Sequence, residues 1–207
     1  LANLNVEDKK LISTETLDLQ VRMYNSKLLL EGKLQYYNGY RTIRHDGSNV
    51  QGLDFNRSDI STTSFGLSTY YAFDYDKFSL KAPFVGNEVQ LRSKGSPIIG
   101  ASFNYLNIDA DSSMIPLSLQ PKFSYQSNLT RLNAMSFAFG IGYIHSFIVK
   151  KRFFFTLGLI PCLSLNYGDY RYFNQEREFI NWKFSYQFKT LNAIGYNYKK
   201  IYVGIQY

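Results

Sequence analysis

From Ala134 to Tyr167 the chain reads AMSFAFGIGYIHSFIVKKRFFFTLGLIPCLSLNY. Met135, Phe137, Phe139, Ile141, Tyr143, His145 and Phe147 alternate with Ser136, Ala138, Gly140, Gly142, Ile144 and Ser146, most of which are small. After Lys150-Lys151-Arg152 the rhythm resumes. Phe153, Phe155, Leu157, Leu159, Pro161, Leu163 and Leu165 share one parity; Phe154, Thr156, Gly158, Ile160, Cys162, Ser164 and Asn166 share the other. A period of two predicts strands, because successive side chains leave opposite faces of a pleat. Two such runs around a very short turn predict a hairpin. A typical strand has about 5–6 residues, and these are far longer. One apolar face against small polar groups suits a wall between lipid and a lumen.

The same parity recurs along the chain. Leu17, Leu19, Val21 and Met23 alternate with Asp18, Gln20, Arg22 and Tyr24, and Asn25-Ser26-Lys27 is turn chemistry. Leu28, Leu30, Gly32, Leu34 and Tyr36 return opposite Glu31, Lys33 and Gln35. Phe65, Leu67, Tyr71 and Phe73 predict a strand that turns at Asp74–Lys77 and comes back through Phe78, Leu80, Ala82 and Phe84. Ile99, Ala101, Phe103 and Tyr105 predict another, and Leu117, Leu119, Phe123 and Tyr125 one more. From Phe179 a single parity runs through Ile180, Trp182, Phe184, Tyr186 and Phe188 to Ile194, Tyr196 and Tyr198, as one long strand or two. Ile201, Val203, Ile205 and Tyr207 complete the pattern.

The expectation is an all-β, antiparallel, up-and-down transmembrane β-barrel of about ten strands over residues 15–207, with no helix. Residues 1–14 lack periodicity and read as an N-terminal segment or incomplete strand. Mostly short turns (25–27, 74–77, 149–152, 198–200) alternate with longer polar connections (41–61, 86–96, 127–133, 168–178). The connection at 107–116 falls on the short-turn side and breaks the rule. Short periplasmic turns and long outer loops are the pattern of bacterial outer-membrane barrels, and closure removes exposed strand edges.

The parity also sorts the faces. Phe137, Phe139, Ile141, Tyr143, Phe155, Leu157, Leu159, Trp182 and Phe184 are expected to face lipid. Asp18, Arg22, Glu31, Lys33, Lys81, Lys122, Lys183 and Lys189 fall on the other side, where each avoids a cost of about 2–4 kcal/mol near the midplane. In a barrel this narrow, side chains fill much of the interior. These charges then form either a salt-bridged plug or a small anion-preferring pore.

Composition adjusts this picture. The chain has 207 residues, of which 17% are aromatic, with 18 Tyr and 17 Phe. That suits strands and membrane interfaces. Mean hydropathy is −0.24, which does not argue against a barrel whose faces cancel in the average. No run approaches the length of a transmembrane helix. The polar start LANLNVEDKK is no signal peptide, and this says nothing about export. A single cysteine, Cys162, excludes an internal disulfide framework and reads as an inert thiol. The net charge of +7 is scattered through turns and polar faces without a nucleic-acid motif, so it points to anionic headgroups rather than nucleic acid.

Several short motifs carry a resemblance. Leu17-Asp18-Leu19-Gln20 leads through Tyr24 to the first turn. Tyr36-Tyr37-Asn38-Gly39-Tyr40, Lys77-Phe78-Ser79 and Arg92-Ser93-Lys94-Gly95-Ser96 with Gly100 follow in order. Together, from about Thr14 onward, they resemble a family of Bacteroidota proteins grouped as a domain of unknown function and treated as outer-membrane barrels. The resemblance implies a barrel of about twelve strands, with an N-terminal hairpin ahead of Leu17 that this chain lacks. Arg92-Ser93-Lys94 departs from the family's usual Lys-Ser pair followed by a small residue. The resemblance implies no activity.

No catalytic constellation emerges. Outer-membrane lipid hydrolases pair a His with a Ser on the outer face, two residues apart on a strand. His145 has Tyr143 and Phe147 at that spacing, and its expected cross-strand neighbours are Phe153, Phe155 or Leu157. It reads as a girdle residue at the membrane boundary. His45 lies in a polar loop beside Asp46-Gly47. Asp109 with Asp111, and Asp74 with Asp76, read as turns without the Gly and Glu of a calcium loop. Gly140-x-Gly142 lies inside a strand and opens no helix, so it is no phosphate loop. The sequence therefore predicts no cofactor and no metal. It predicts a non-enzymatic, multi-pass outer-membrane barrel, a scaffold or accessory subunit of an envelope assembly. Its partners would be outer-membrane lipids and lipopolysaccharide, with other outer-membrane proteins as further candidates. The alternatives are a narrow pore, a lipid or peptide hydrolase, and a soluble lipocalin-like barrel with its faces inverted.

Overall fold

Antiparallel neighbours in sequence are neighbours in space throughout. The computed structural model describes residues 14–41, 56–85, 88–115, 120, 128–173, 176–198 and 201–206. Its strands are β1 (Glu15–Tyr24), β2 (Leu28–Arg41), β3 (Asn56–Ala72), β4 (Lys94–Ala110), β5 (Leu129–Val149), β6 (Phe153–Tyr172), β7 (Arg177–Tyr198) and β8 (Ile201–Gln206). They form one sheet in the order β1-β2-β3-β4-β5-β6-β7-β8. The sheet is an open half-barrel of eight strands, because β1 and β8 are not paired with each other. The tight turns at 25–27 and 150–152 mark one end, the turn rim; the connection between β6 and β7 marks the other, the loop rim.

The structure describes eight strands, and one of the ten expected is replaced by another element. Residues 78–84 form no strand. The turn at Asp74 continues, with Lys77 N and Phe78 N both donating to Asp74 O at 3.0 and 2.9 Å. A short helix, α1 (Lys81–Val85), follows. Ser79 Oγ caps it, accepting from Lys81 N and Ala82 N at 3.2 and 3.3 Å. Pro83 lacks an N–H and would have broken the ladder of a central strand, whereas the first turn of a helix tolerates it. Lys81 thus leaves the strand set and pairs with Glu88 at 3.6 Å. The strand expected over Leu117–Tyr125, with Lys122, falls almost wholly outside the described residues. β4 pairs directly with β5, so the connection after Ala110 lies at the loop rim and the exception at 107–116 disappears. His45 and residues 1–13 are also outside the described residues.

The hairpin of β5 and β6 forms as expected. Lys150 and Lys151 take positive φ, 51° and 55°, the pair of left-handed conformations that a tight hairpin turn requires and that Asn-Gly adopts more easily. Farther up, Gly140 and Gly142 lie where β6 comes close at Pro161. A Cβ on Gly142 would sit 2.1 Å from Leu159 O, and one on Gly140 2.4 Å from Pro161 O. Backbone proximity therefore explains why both positions are glycine.

One parity expectation is also corrected. β7 is a single strand, but its register against β6 slips between Asn166↔Lys183 and Gly168↔Ile180. This bulge at 181–182 flips the faces. Phe184, Tyr186 and Phe188 share the outer face below it; Arg177 and Phe179 share that face above it, so Ile180 turns inward.

The core lies inside the curve at the turn rim. Leu29, Phe78, Leu80, Ile98, Ile144 and Ile160 are fully buried there, with Phe84, Phe154 and Leu191 beside them. Leu80 N donates to Ser26 O at 2.8 Å, and Tyr202 of β8 donates from its hydroxyl to Pro83 O at 2.7 Å. Tyr24 of β1 stacks on Phe84 at 5.6 Å between ring centroids. The segment Phe78–Val85 is therefore a strap that crosses the mouth of the half-barrel, touching strands from both of its edges.

Candidate functional site

Three surfaces follow from this arrangement: an apolar convex band, a closed apolar floor and a charged belt.

The band is built from one parity of each strand. On β5 and β6, Phe137, Phe139, Ile141, Tyr143, Phe155, Leu157 and Leu159 point outward and are exposed, Phe139 at 52% and Ile141 at 61%. Trp182 and Phe184 join them from β7, and Phe184 reaches 71% exposure. Aromatic or polar residues bound the band at matching heights. Met135 lies opposite Tyr105 and Tyr167 at the top; near the bottom His145 lies opposite Gly95 and Leu157, with Phe147 opposite Phe155 just below. Tyr167 packs on Trp182 at 4.9 Å, and His145 on Phe147 at 4.4 Å. Met135 to Phe147, which lies opposite Phe155, is about 40 Å along the strand, or roughly 28 Å of height at a 45° tilt. That is close to the ~25 Å apolar band of transmembrane barrels.

On its own strand His145 is flanked on its face by Tyr143 and Phe147, and Gly95 and Leu157 lie opposite it. Its neighbour Ser146 points inward, where Ser146 Oγ and Thr156 Oγ1 share a hydrogen bond of 2.6 Å in a buried position. Gly95 opposite must stay small, since a Cβ there would lie 2.7 Å from His145 Nδ1. No group of three or more potential metal ligands occurs among the described residues.

The interior carries the other parity. Asp18, Arg22, Glu31, Lys33, Lys183 and Lys189 all belong to it by register. Glu31 binds Arg22 across the β1–β2 ladder at 3.1 Å and Lys189 of β7 at 3.3 Å. The second contact crosses the hollow of the half-barrel, so opposing walls meet at this height. Lys189 Nζ also lies 5.6 Å from the Tyr70 ring centroid. Asp18 accepts from Gln35 at 2.9 Å and from the Tyr37 hydroxyl at 3.0 Å. Above the floor, Ser68, Ser102, Asn104, Cys162 and Lys189 help line a hollow of about 140 Å³. Below it the apolar core and the strap fill the cross-section.

The belt was not legible as a site in the sequence. Above the band the outward rows of β3 to β7 turn from apolar to charged. Asp109 of β4 pairs with Arg131 of β5, whose Nε donates at 2.9 Å. Asn133 donates to Asp169 at 3.0 Å, and Asp169 receives both arms of Arg177 at 2.6 and 2.5 Å. At the end of β3, Arg57 grips Asp59 at 2.7 and 2.8 Å and donates to Ser113 O at 2.7 Å. Asp109 is thus a paired strand residue and not part of a turn. Asp59, Asp109, Asp111, Arg131, Arg171 and Phe173 help line a polar hollow of about 500 Å³ at this rim. The only sequence signal was indirect: opposite charges at the ends of neighbouring apolar runs.

The belt lies beyond the apolar band, and two of its carboxylates, Asp59 and Asp169, are biased toward the charged form. The Arg57 guanidinium hydrogen-bonded to Asp59 lowers that carboxyl from 3.8 to about 2. Arg177 likewise holds Asp169 below its ordinary value. A depressed folded-state value stabilises the fold above the ordinary carboxylate range and loses that contribution as pH falls through the folded value. For Asp59 the loss runs from about pH 4 down to about pH 2. A carboxyl-carbon NMR titration is expected to give a midpoint near 2, moving back toward 3.8 in Arg57→Gln. An unchanged midpoint in that variant would refute the assignment to Arg57.

The family model described as a domain of unknown function (DUF4421) matches residues 1–207. No curated protein and no solved structure matches the chain.

Proposed function

The chain belongs to the DUF4421 family, and from its geometry we propose that it is an integral, multi-pass protein of the bacterial outer membrane that completes a barrel and acts as a plugged, non-enzymatic scaffold or accessory subunit. The observation that carries this reading is the pairing of a convex apolar band with an interior closed at one end. The band's height suits a lipid hydrocarbon layer, and its partners are then outer-membrane lipids, including lipopolysaccharide. The charged interior residues avoid lipid, and Glu31 binds both Arg22 and Lys189. A soluble barrel with inverted faces would leave Phe139, Ile141 and Phe184 in water and enclose Glu31 and Lys189. Contiguous exposed apolar surface of this extent is rare on soluble monomers.

The floor bears on the pore alternative. A solute passing through the interior would have to cross Phe78, Leu80 and Ile144, all fully buried. In planar bilayers the purified protein is expected to give no reproducible single-channel steps. Regular steps would overturn the plugged reading. Membrane location has its own test: after lysis the protein is expected in the membrane fraction, and recovery in the aqueous fraction without detergent would overturn it.

A further inference from the structure

We infer that the row Arg131–Arg171–Arg177 on the outer face of β5, β6 and β7 is a binding site for the phosphate of a membrane lipid headgroup, with Arg171 as its principal ligand. The inference rests on the proposal that the convex band meets lipid.

Register carries the argument. Arg131 lies directly opposite Arg171, and Arg171 directly opposite Arg177. Three arginine positions therefore lie side by side on adjacent strands, their backbones about 4.8 Å apart and their side chains on one face. Like charges placed directly opposite destabilise a sheet, so the row needs compensation. Arg131 obtains it from Asp109 and Arg177 from Asp169. Arg177 further lies over the Phe179 ring at 5.2 Å. Arg171, the central and exposed member, has no carboxylate partner among the described residues. Each flanking pair has a carboxylate of its own, and the middle position lacks one.

Height selects the ligand. Arg171 stands four residues above Tyr167, the girdle residue level with Met135. That is about 13 Å along the strand and roughly 9 Å of height at a 45° tilt. This is just beyond the headgroup layer, about 5–8 Å deep on each side of the hydrocarbon core, and a long, flexible Arg side chain can reach back into it. Arginine presents a planar fork suited to bidentate contact with phosphate oxygens. A phosphate set against Arg171 would neutralise the row and fix the protein's depth in the leaflet that meets the loop rim.

The test uses the full chain purified in detergent. Native mass spectrometry would count retained bisphosphorylated lipid A, with enzymatically dephosphorylated lipid A and sodium phosphate as comparators. The wild-type protein is expected to retain the phosphorylated lipid. Arg171→Ala should lower its affinity about tenfold, Arg171→Lys should lose less, and Lys151→Ala at the opposite rim should bind as wild type. Equal retention of the dephosphorylated lipid, or full retention by Arg171→Ala, would overturn the inference. Sodium phosphate that binds as tightly as the lipid would assign the site to free anions and overturn it too. Heat-modifiable migration on gels checks that each variant is folded. If wild-type protein sits in the membrane fraction but Arg171→Ala keeps its lipid, this inference alone fails. If the protein is aqueous, the functional proposal fails first.

Discussion

Phe139→Arg is expected to impair membrane insertion severely, while Ser136→Arg, three residues away on the same strand, is tolerated. Phe139 lies near the middle of the apolar band, opposite Ala101 and Leu163. A guanidinium there faces hydrocarbon and costs about 2–4 kcal/mol. Ser136 has the opposite parity and lies opposite Asn104 and Asn166, which offer polar company. Urea-dependent folding into lipid vesicles measures both. Equal losses for the two variants would show that the faces are assigned wrongly, since only a difference in surroundings separates the substitutions. Leu159→Arg tests the same face on β6, nearer the turn rim.

Phe78→Ala is expected to have a larger effect on stability. The ring is fully buried, packed with Leu29, Leu80 and Ile98 in the core at the turn rim. Its removal deletes apolar contacts and leaves a cavity, a combination that typically costs about 3–5 kcal/mol. A urea titration of heat-modifiable migration would register it. The strap spans the mouth between Tyr24 on β1 and Tyr202 on β8, so weakening it loosens both walls. Replacing Phe78, Leu80 and Phe84 together with Ser is further expected to produce channel activity absent from the wild type. A triple variant that inserts and stays silent would show that the strap is not what closes the interior.

These expectations rest on features of unequal legibility. The parity of β5 and β6 was plain, because long rows of Phe, Leu and Ile alternate with small residues and no other structure explains a strict period of two. The same rule failed at Phe78–Phe84, where apolar residues also alternate. There Pro83 and the capping Ser79 outweighed the period, and the alternating side chains pack into a core instead of along a wall. It failed again near Trp182, where a bulge shifts parity by one residue and periodicity alone still suggests an unbroken row.

The belt shows a further limit. Asp109, Arg131, Asp169 and Arg171 fall in predicted loops or their margins, because above the apolar band the outer face turns polar and the alternation vanishes. The strands nevertheless continue, held by ladder pairing and by ion pairs between neighbours. Such pairing joins residues far apart in the chain, so no local pattern records it. The Glu31–Lys189 contact is the extreme case, linking β2 to β7 through the curvature of the whole sheet.

By itself, then, the sequence determined the antiparallel strands, their two faces and the residues of the apolar band, since each follows from side-chain chemistry at a spacing of two. Tertiary structure decided the number of strands, the strap that closes the turn rim, the parity beyond Trp182 and the alignment of three arginines in one row. The physical reason is that register and curvature are fixed by contacts between distant strands, whereas alternation is a property of each strand alone.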